Sequence, residues 1–277
     1  VSLTGPYNGA PYGLSVAVRV LAGPYDLGTV VVRAAVRVDR RDAHLTVESD
    51  ALPTIVRGVP LRLRRLDVSV DRPGFLLNPS SCGPKTVPSA IRSVDGTTAT
   101  PSGQVSVGGC EALPFTPALE AVASGRPTRK RGGSLVVTLR QPANQMRLRK
   151  VSVKLPRAFS ARGTTVARAC YETTFVPTPE KCGAPSRVGT AEAITPVLPT
   201  PLKGTAWLVG HNAKLPTLEV GVSGSNVDIG LSSLITFGRS FSSTFDNLPD
   251  VPVSSFVVRL PQGPDSALGI AGDICNR

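Results

Sequence analysis

Few side chains in this sequence can do acid–base or nucleophilic chemistry, and they can be taken one at a time. There are two histidines, His44 and His211, so a serine–histidine–carboxylate triad would have to use one of them. His44 stands beside Asp42 in a charged turn, and His211 follows a glycine in "LVGHNAKLP". Each reads as a solvated turn residue rather than a base. The nearest approach to a nucleophile elbow, "GVSGS" at Gly221–Ser225, lacks the closing glycine and falls at a strand end. A glycosidase-type pair needs two carboxylates facing one cleft. Glu219 occupies the polar face of a strand and Asp228 belongs to an Asp-Ile-Gly turn, so that pairing is not expected. The sequence carries no phosphate-binding glycine loop and no EF-hand loop. No catalytic residue, cofactor or metal is expected, and the chain reads as a non-enzyme.

The five cysteines, Cys82, Cys110, Cys170, Cys182 and Cys275, form no CxxC pair and have only two histidines to join them in a zinc site. Disulfides in an oxidising, extracytoplasmic setting fit better, so the expected location is extracellular or at the cell surface. Three of the four tyrosines, Tyr7, Tyr12 and Tyr25, fall in the first 25 residues. Exposed aromatics can stack on sugars or anchor an interface, which makes them the candidate ligand or interface residues; the competing expectation is that they pack a hairpin.

The formal charge is +12, carried mainly by arginine. That balance suits polyanions such as an acidic glycan or an anionic envelope, or it reflects surface cations encoded as arginine. The cations are scattered over many segments without interleaved aromatics, so no specific nucleic-acid partner is expected. The one dense run, "GRPTRKRGG" at Arg126–Gly133 and its flanks, reads as a solvated linker between domains. No apolar run reaches the ~18 residues of a membrane span.

Positioning these groups falls to strands. Hydrophobic residues make up 41% and aromatics only 5%, while Gly and Pro number 27 and 26, a composition of thin Val-rich layers and frequent turns. In "TVVVRAAVRV", Thr29–Val38, Val30, Val32, Ala34, Val36 and Val38 share one face while Arg33 and Arg37 share the other. "LTVESD" is its expected hairpin partner. "LSVAVRV", "SLVVTLR", "LEVGVSG", "VDIGLSSLITF" and "SSFVVRL" read alike, and about fourteen strands are expected in all. Only "TTVARACYETT" admits a short helix. In "LRLRRLDVSV" and "RLRKVSVKL" the apolar phase flips at Arg64–Arg65 and at Arg149–Lys150, which predicts a bulge in each. The fold class is therefore all-β: tandem antiparallel β-sandwiches of Ig-like or Greek-key type with little helix. The expected layout is a sandwich over 1–118, a basic linker over 119–133, and further sandwich over 134–277.

Ordered echoes along the chain point to a repeat. Leu3-x-Gly5-x5-Pro11 returns as Leu208-x-Gly210-x5-Pro216, Asp26-Leu27-Gly28 as Asp228-Ile229-Gly230, and Asp50-Ala51-Leu52-Pro53 as Asp246-Asn247-Leu248-Pro249. Val59-Pro60 returns as Val251-Pro252, Pro73-x3-Leu77 as Pro264-x3-Leu268, and Cys82 as Cys275. The period is roughly 195 residues, near the size of a large domain. On this phase the chain is expected to start and stop in mid-repeat, which pairs Cys82 with Cys110 and Cys170 with Cys182. Cys275 is left unpaired or bonded to another molecule.

The segments "LTGPYNGAPYGLSVAVRVLAGPYDLGTVVVRAAVRVD", "SDALPTIVRGVPLRLRRLDVSVDRPGFLLNPSSC" and "CGAPSRVGTAEAITPVLPTPLKG" together resemble the large, secreted, repeat-bearing β-proteins of high-GC Gram-positive (actinobacterial) bacteria. The resemblance implies an extracellular location and tandem β-domains, and supplies no active site to carry over. The functional expectation is a secreted surface protein, structural or adhesive. Open strand edges would let it assemble with itself into filaments or continue along the same chain. The alternative is a surface module that binds carbohydrate or polyanion.

Overall fold

The structure is a computed structural model that describes residues 1–62, 64–69, 77–128, 130–212, 215–236 and 241–270. It is all-β with little helix, and every ladder but one short parallel bridge is antiparallel. By contacts it divides into two units, Val1–Leu77 with Asn226–Asp228, and Asn78–Ser225 with Ile229–Arg277.

The first unit holds β1 (Ser2–Thr4), β2 (Tyr12–Ala22), β3 (Tyr25–Val38) and β4 (Leu45–Ser49), neighbours in chain order, and the small hairpin β5 (Ile55–Val56) with β6 (Val59–Pro60). Register explains its two faces. Leu3 lies opposite Leu14, Val16 opposite Val32, Val18 opposite Val30, and Val47 opposite Val36, so apolar side chains line one face from edge to edge. Ser15 opposite Arg33, Arg19 opposite Thr29, and Arg37 opposite Thr46 put the polar side chains on the other face, beside Ala17, Val31 and the buried Ala35. The alternation read over Thr29–Val38 is thus a strand with one half-buried face, and it starts four residues earlier at Tyr25.

The second unit begins with two small ladders, β7 (Gly83–Pro88) against β10 (Ser102–Val107) and β8 (Ile91–Arg92) against β9 (Thr98–Ala99). Its main sheet is built from β11 (Ala118–Thr128), β12 (Gly132–Arg140), β13 (Val151–Lys154), β14 (Phe159–Ala161), β15 (Cys170–Tyr171), β16 (Arg187–Ile194), β17 (Leu202–Gly210), β18 (Thr217–Gly224), β19 (Val227–Thr236), β20 (Ser242–Phe245), β21 (Ser255–Leu260) and β22 (Leu268–Ile270). These twelve strands follow the path β13-β20-β19-β18-β17-β16-β21-β12-β22-β14, with β11 on β12 and β15 on β17. The sheet curls into a half-barrel, and small residues on its inner face, among them Gly189, Ala191, Gly204 and Ala206, leave room for the bend. Two single-turn helices, α1 (Gly163–Val166) and α2 (Glu172–Phe175), flank β15, in the "TTVARACYETT" stretch that alone admitted helix.

Several expectations are corrected. The stretch 119–133 is no linker: β11 runs through Thr128 and pairs with β12 from Ala118 opposite Arg140 to Ser124 opposite Ser134. The register shifts between Ser124 and Thr128, and Gly125 there has φ +85°. The units divide at 77/78 instead. Residues 61, 62 and 64–69 carry no strand, so "LRLRRLDVSV" alternates without a ladder partner there; Leu63 and Val70 lie outside the described residues. In "RLRKVSVKL" the strand starts only at Val151, and no paired bulge forms at Arg149–Lys150.

Two disulfides, Cys82–Cys110 and Cys170–Cys182, close loops of 28 and 12 residues. On the loop-entropy model each contributes about 3 kcal/mol. Cys275 lies outside the described residues. No described helix is long and apolar enough to cross a membrane.

Candidate functional site

The tyrosines do not gather into one site. Tyr7 sits in the turn between β1 and β2, where Asn8 and Gly9 take the positive φ that a two-residue hairpin turn requires. Its hydroxyl donates to Asp50 at 2.6 Å and the Arg33 guanidinium stacks 3.7 Å from its ring centre. The hydrogen bond to Asp50, more than the adjacent burial and charge, pushes the Tyr7 hydroxyl pKa up. Tyr12 belongs to the apolar sheet face opposite Val36, and Tyr25 is 72% exposed at the far end of the hairpin, opposite Ala22. Ten residues of β2 separate the rows of Tyr12 and Tyr25, roughly 33 Å of strand. Tyr7 is a half-buried packing residue.

His44 is the turn residue read from the sequence. Its Nδ1 meets Asp42 at 2.6 Å, and Asp39, Asp42 and His44 stand close together with the two latter exposed. The Asp42 carboxyl is held below its ordinary value, first by the backbone N–H of His44 and then by its ring, while Asp42 raises the imidazole. A raised histidine pKa means that the turn's charge contribution is present below about pH 6.5 and fades as pH climbs through the raised value. NMR titration is expected to place the His44 ring above a free histidine, and Asp42→Asn to lower it.

His211 is not a solvated turn residue. Its side chain is 23% exposed; Nδ1 meets Glu172 of α2 at 2.9 Å, and Nε2 meets Thr217 at 2.9 Å. Thr217 donates onward to Glu219 at 2.5 Å, which also accepts from Ser232 at 2.6 Å. An acid–histidine–hydroxyl line exists here, but the hydroxyl proton is directed at Glu219 rather than at the imidazole, and Thr217 is buried. The row is a clamp holding α2 over the outer face of the sheet, where Phe175 packs edge-on against Trp207 with centroids 5.5 Å apart. Asp228 is exposed on β19. His211→Ala is expected to cost about 1 kcal/mol and to speed hydrogen exchange in the Cys170–Cys182 segment.

The one extended concave site described lies on the inner face of the curled sheet. Alternation places it: Leu135, Val137 and Leu139 on β12 stand opposite Leu260, Val258 and Phe256 on β21, and Ala191 and Ala193 of β16 oppose the latter two from the other side. Leu208 opposes Leu218, and β19 contributes Ile229, Leu231 and Ile235. Val151 and Val153 of β13 come round from the other end of the strand path. Together they surround a cavity of about 190 Å³.

Each end of this cavity has a physical basis. The floor is a buried cluster of Leu135, Leu155, Phe159 and Leu268, against which Val153, Phe241 and Leu260 pack. The opposite end is a strap, residues 246–253, whose Leu248, Pro249, Val251 and Val253 all face the cavity. The strap turns at Asn247, where φ is +54°, and is fixed by Asp250. That carboxylate accepts from Ser80 N and Oγ (3.3 and 3.0 Å) and Ser81 N and Oγ (3.4 and 3.0 Å), and pairs with Arg147 Nη1 at 3.2 Å. Burial alone raises the Asp250 pKa, but the Ser80 and Ser81 hydrogen bonds and the Arg147 charge outweigh it and hold the carboxyl below its usual range. Lys150 bonded to Asp246 at 3.0 Å ties the start of the strap to β13. Leu119, 48% exposed on β11, marks the mouth.

Among the described residues the lining is aliphatic and phenyl, with Gln141, Thr195 and Ser243 its polar members and no charged side chain. The amide nitrogen of Gln141 donates to the Met146 carbonyl and its backbone N–H to the Ser254 carbonyl. Ser243 is bonded to Ser233. Among the described residues such a lining carries no carboxylate, imidazole or thiol, and it can hold a nonpolar molecule. Sequence reasoning missed it because period-2 alternation shows that these faces are apolar without showing that they curl around one space. No protein-family model, curated protein or solved structure matches the chain.

Proposed function

We propose that this chain is an extracytoplasmic, non-catalytic protein that binds a small apolar ligand inside its curled sheet. The observation that carries the reading is the cavity of about 190 Å³ with an apolar, uncharged described lining. Apolar cavities of about 150 Å³ stay dry and take up benzene, so a larger one is a better host for hydrocarbon than for water. The two disulfides support an oxidising compartment. Titration with the polarity-sensitive dye N-phenyl-1-naphthylamine tests it: one saturable site per chain is expected, and the absence of saturable binding would remove the reading.

A second reading, assembly of a secreted surface protein by strand addition, is favoured by β11. This strand of eleven residues pairs with β12 along one edge, and no strand pairs with its other edge among the described residues. Tandem repetition of the domain is supported by topology, since β1–β4 and β17–β20 are both four-stranded antiparallel runs in chain order and carry Leu3 and Leu208 on their first strands. Size-exclusion chromatography with electron microscopy separates the readings. A particle that stays monomeric at high concentration argues against assembly and leaves the ligand site untouched.

A further inference from the structure

We infer that the cavity accepts a single unbranched hydrocarbon chain whose polar end stays in water, an inference that rests on the ligand-binding reading above. Shape selects the class. The lining runs from Leu135 on β12 to Gln141, one residue past the end of that strand, six residue steps or roughly 20 Å of extended chain. A space of about 190 Å³ bounded along that length by apolar side chains matches one hydrocarbon chain better than a fused ring system or two chains side by side. The volume is also below the ~300 Å³ at which sites for drug-sized molecules begin.

Chemistry fixes the orientation. A buried charge without a partner is strongly disfavoured, and the described lining holds no charged side chain while the amide nitrogen of Gln141 already donates to the Met146 carbonyl. A carboxylate or other ionised head therefore stays outside, at the Leu119 mouth, where the lining is half exposed. The floor of Leu135, Leu155, Phe159 and Leu268 is fully apolar and receives the methyl end.

The test is displacement of bound N-phenyl-1-naphthylamine from the full chain by a homologous series of straight-chain fatty acids, with cholesterol and a two-chain phospholipid as comparators. Each added methylene is expected to tighten binding by about fourfold, the equivalent of ~0.8 kcal/mol, until the slot is full, after which affinity levels off. Neither comparator is expected to compete. Val137→Phe, which fills the slot from a half-buried lining position, is expected to shorten the chain length at which the plateau begins; Leu119→Trp at the exposed mouth provides a second variant with little folding risk. Affinity independent of chain length, or competition by the sterol, overturns the single-chain assignment while leaving the cavity reading in place. Failure of the dye itself to bind removes both.

Discussion

Replacing Gly204 with alanine is expected to cost the second unit about 3 kcal/mol or more, a fall of roughly 10 °C in melting temperature for a unit of this size. Gly204 sits in the middle of β17 on the inner face, and a Cβ there would meet the Gly221 carbonyl oxygen at 1.7 Å and its carbon at 2.7 Å. Both are backbone atoms of the neighbouring strand, so no rotamer change relieves the overlap. The ladder from Lys203 opposite Ser223 to Val209 opposite Thr217 has to open. The effect reaches function because the close approach of β17 and β18 is part of the curl that brings Leu208 and Leu218 to the cavity. Differential scanning calorimetry measures the stability loss, and dye titration is expected to show weakened binding in the surviving folded fraction. Full wild-type stability in Gly204→Ala would show that the two strands are not held as closely as described.

Removing the Asp250 carboxylate is the second large effect. Asp250→Ala removes the acceptor of two donors on part-buried Ser80 and two on exposed Ser81, and leaves the Arg147 guanidinium, 13% exposed, without its counter-charge. Charge-assisted bonds of this kind contribute about 1.5–3 kcal/mol and loss of one member of a largely buried pair costs somewhat more, so about 3 kcal/mol is expected. The consequence is local, because Asp250 pins the strap that closes one end of the cavity. Faster dye exchange is expected alongside the loss of stability. Acid titration gives an independent readout. The folded-state pKa of Asp250 is depressed, so its contribution is complete above the unfolded value of about 3.9 and is lost as pH falls through the lower folded value. Asp250→Asn is expected to flatten stability against pH in that acidic window and to leave the neutral range parallel to wild type.

What was legible in the sequence was the local geometry. Val30, Val32, Ala34 and Val36 against Arg33 and Arg37 specify a strand and its buried face, because a one-residue slip would turn every valine to water. The same holds for Leu135, Val137 and Leu139, and for Val258 with its neighbours Phe256 and Leu260. What lay beyond it was which faces meet. The run "ALEAVASG" carries the alternation of a strand, with Leu119, Ala121 and Ala123 opposite Leu139, Val137 and Leu135. The Gly, Pro and arginines that follow it gave the stretch the composition of a linker. "LRLRRLDVSV" erred the other way: alternation describes a strand only when a partner supplies the ladder.

The functional residues divided similarly. Histidine counting gave His211 no partners. Glu172 and Thr217 come from elements 39 residues before it and 6 after it, and only the fold brings them together. The cavity had no single-residue signal at all. Its members are spread from Leu119 to Leu268, each an ordinary apolar strand residue, and a tyrosine-rich opening segment drew the eye to a unit where Tyr7, Tyr12 and Tyr25 part company.

The central claim is that ligand enters the curled sheet of the second unit. It is tested most directly by methyl NMR of the full chain while N-phenyl-1-naphthylamine is added. The account predicts shifts confined to the methyls of Val137, Val153, Val222, Ile235 and Val258, which line the cavity, saturating together at one dye per chain. Shifts spread instead over Val18, Leu45 and Val47, the exposed apolar residues of the first unit's sheet, with the cavity methyls unmoved, would contradict it.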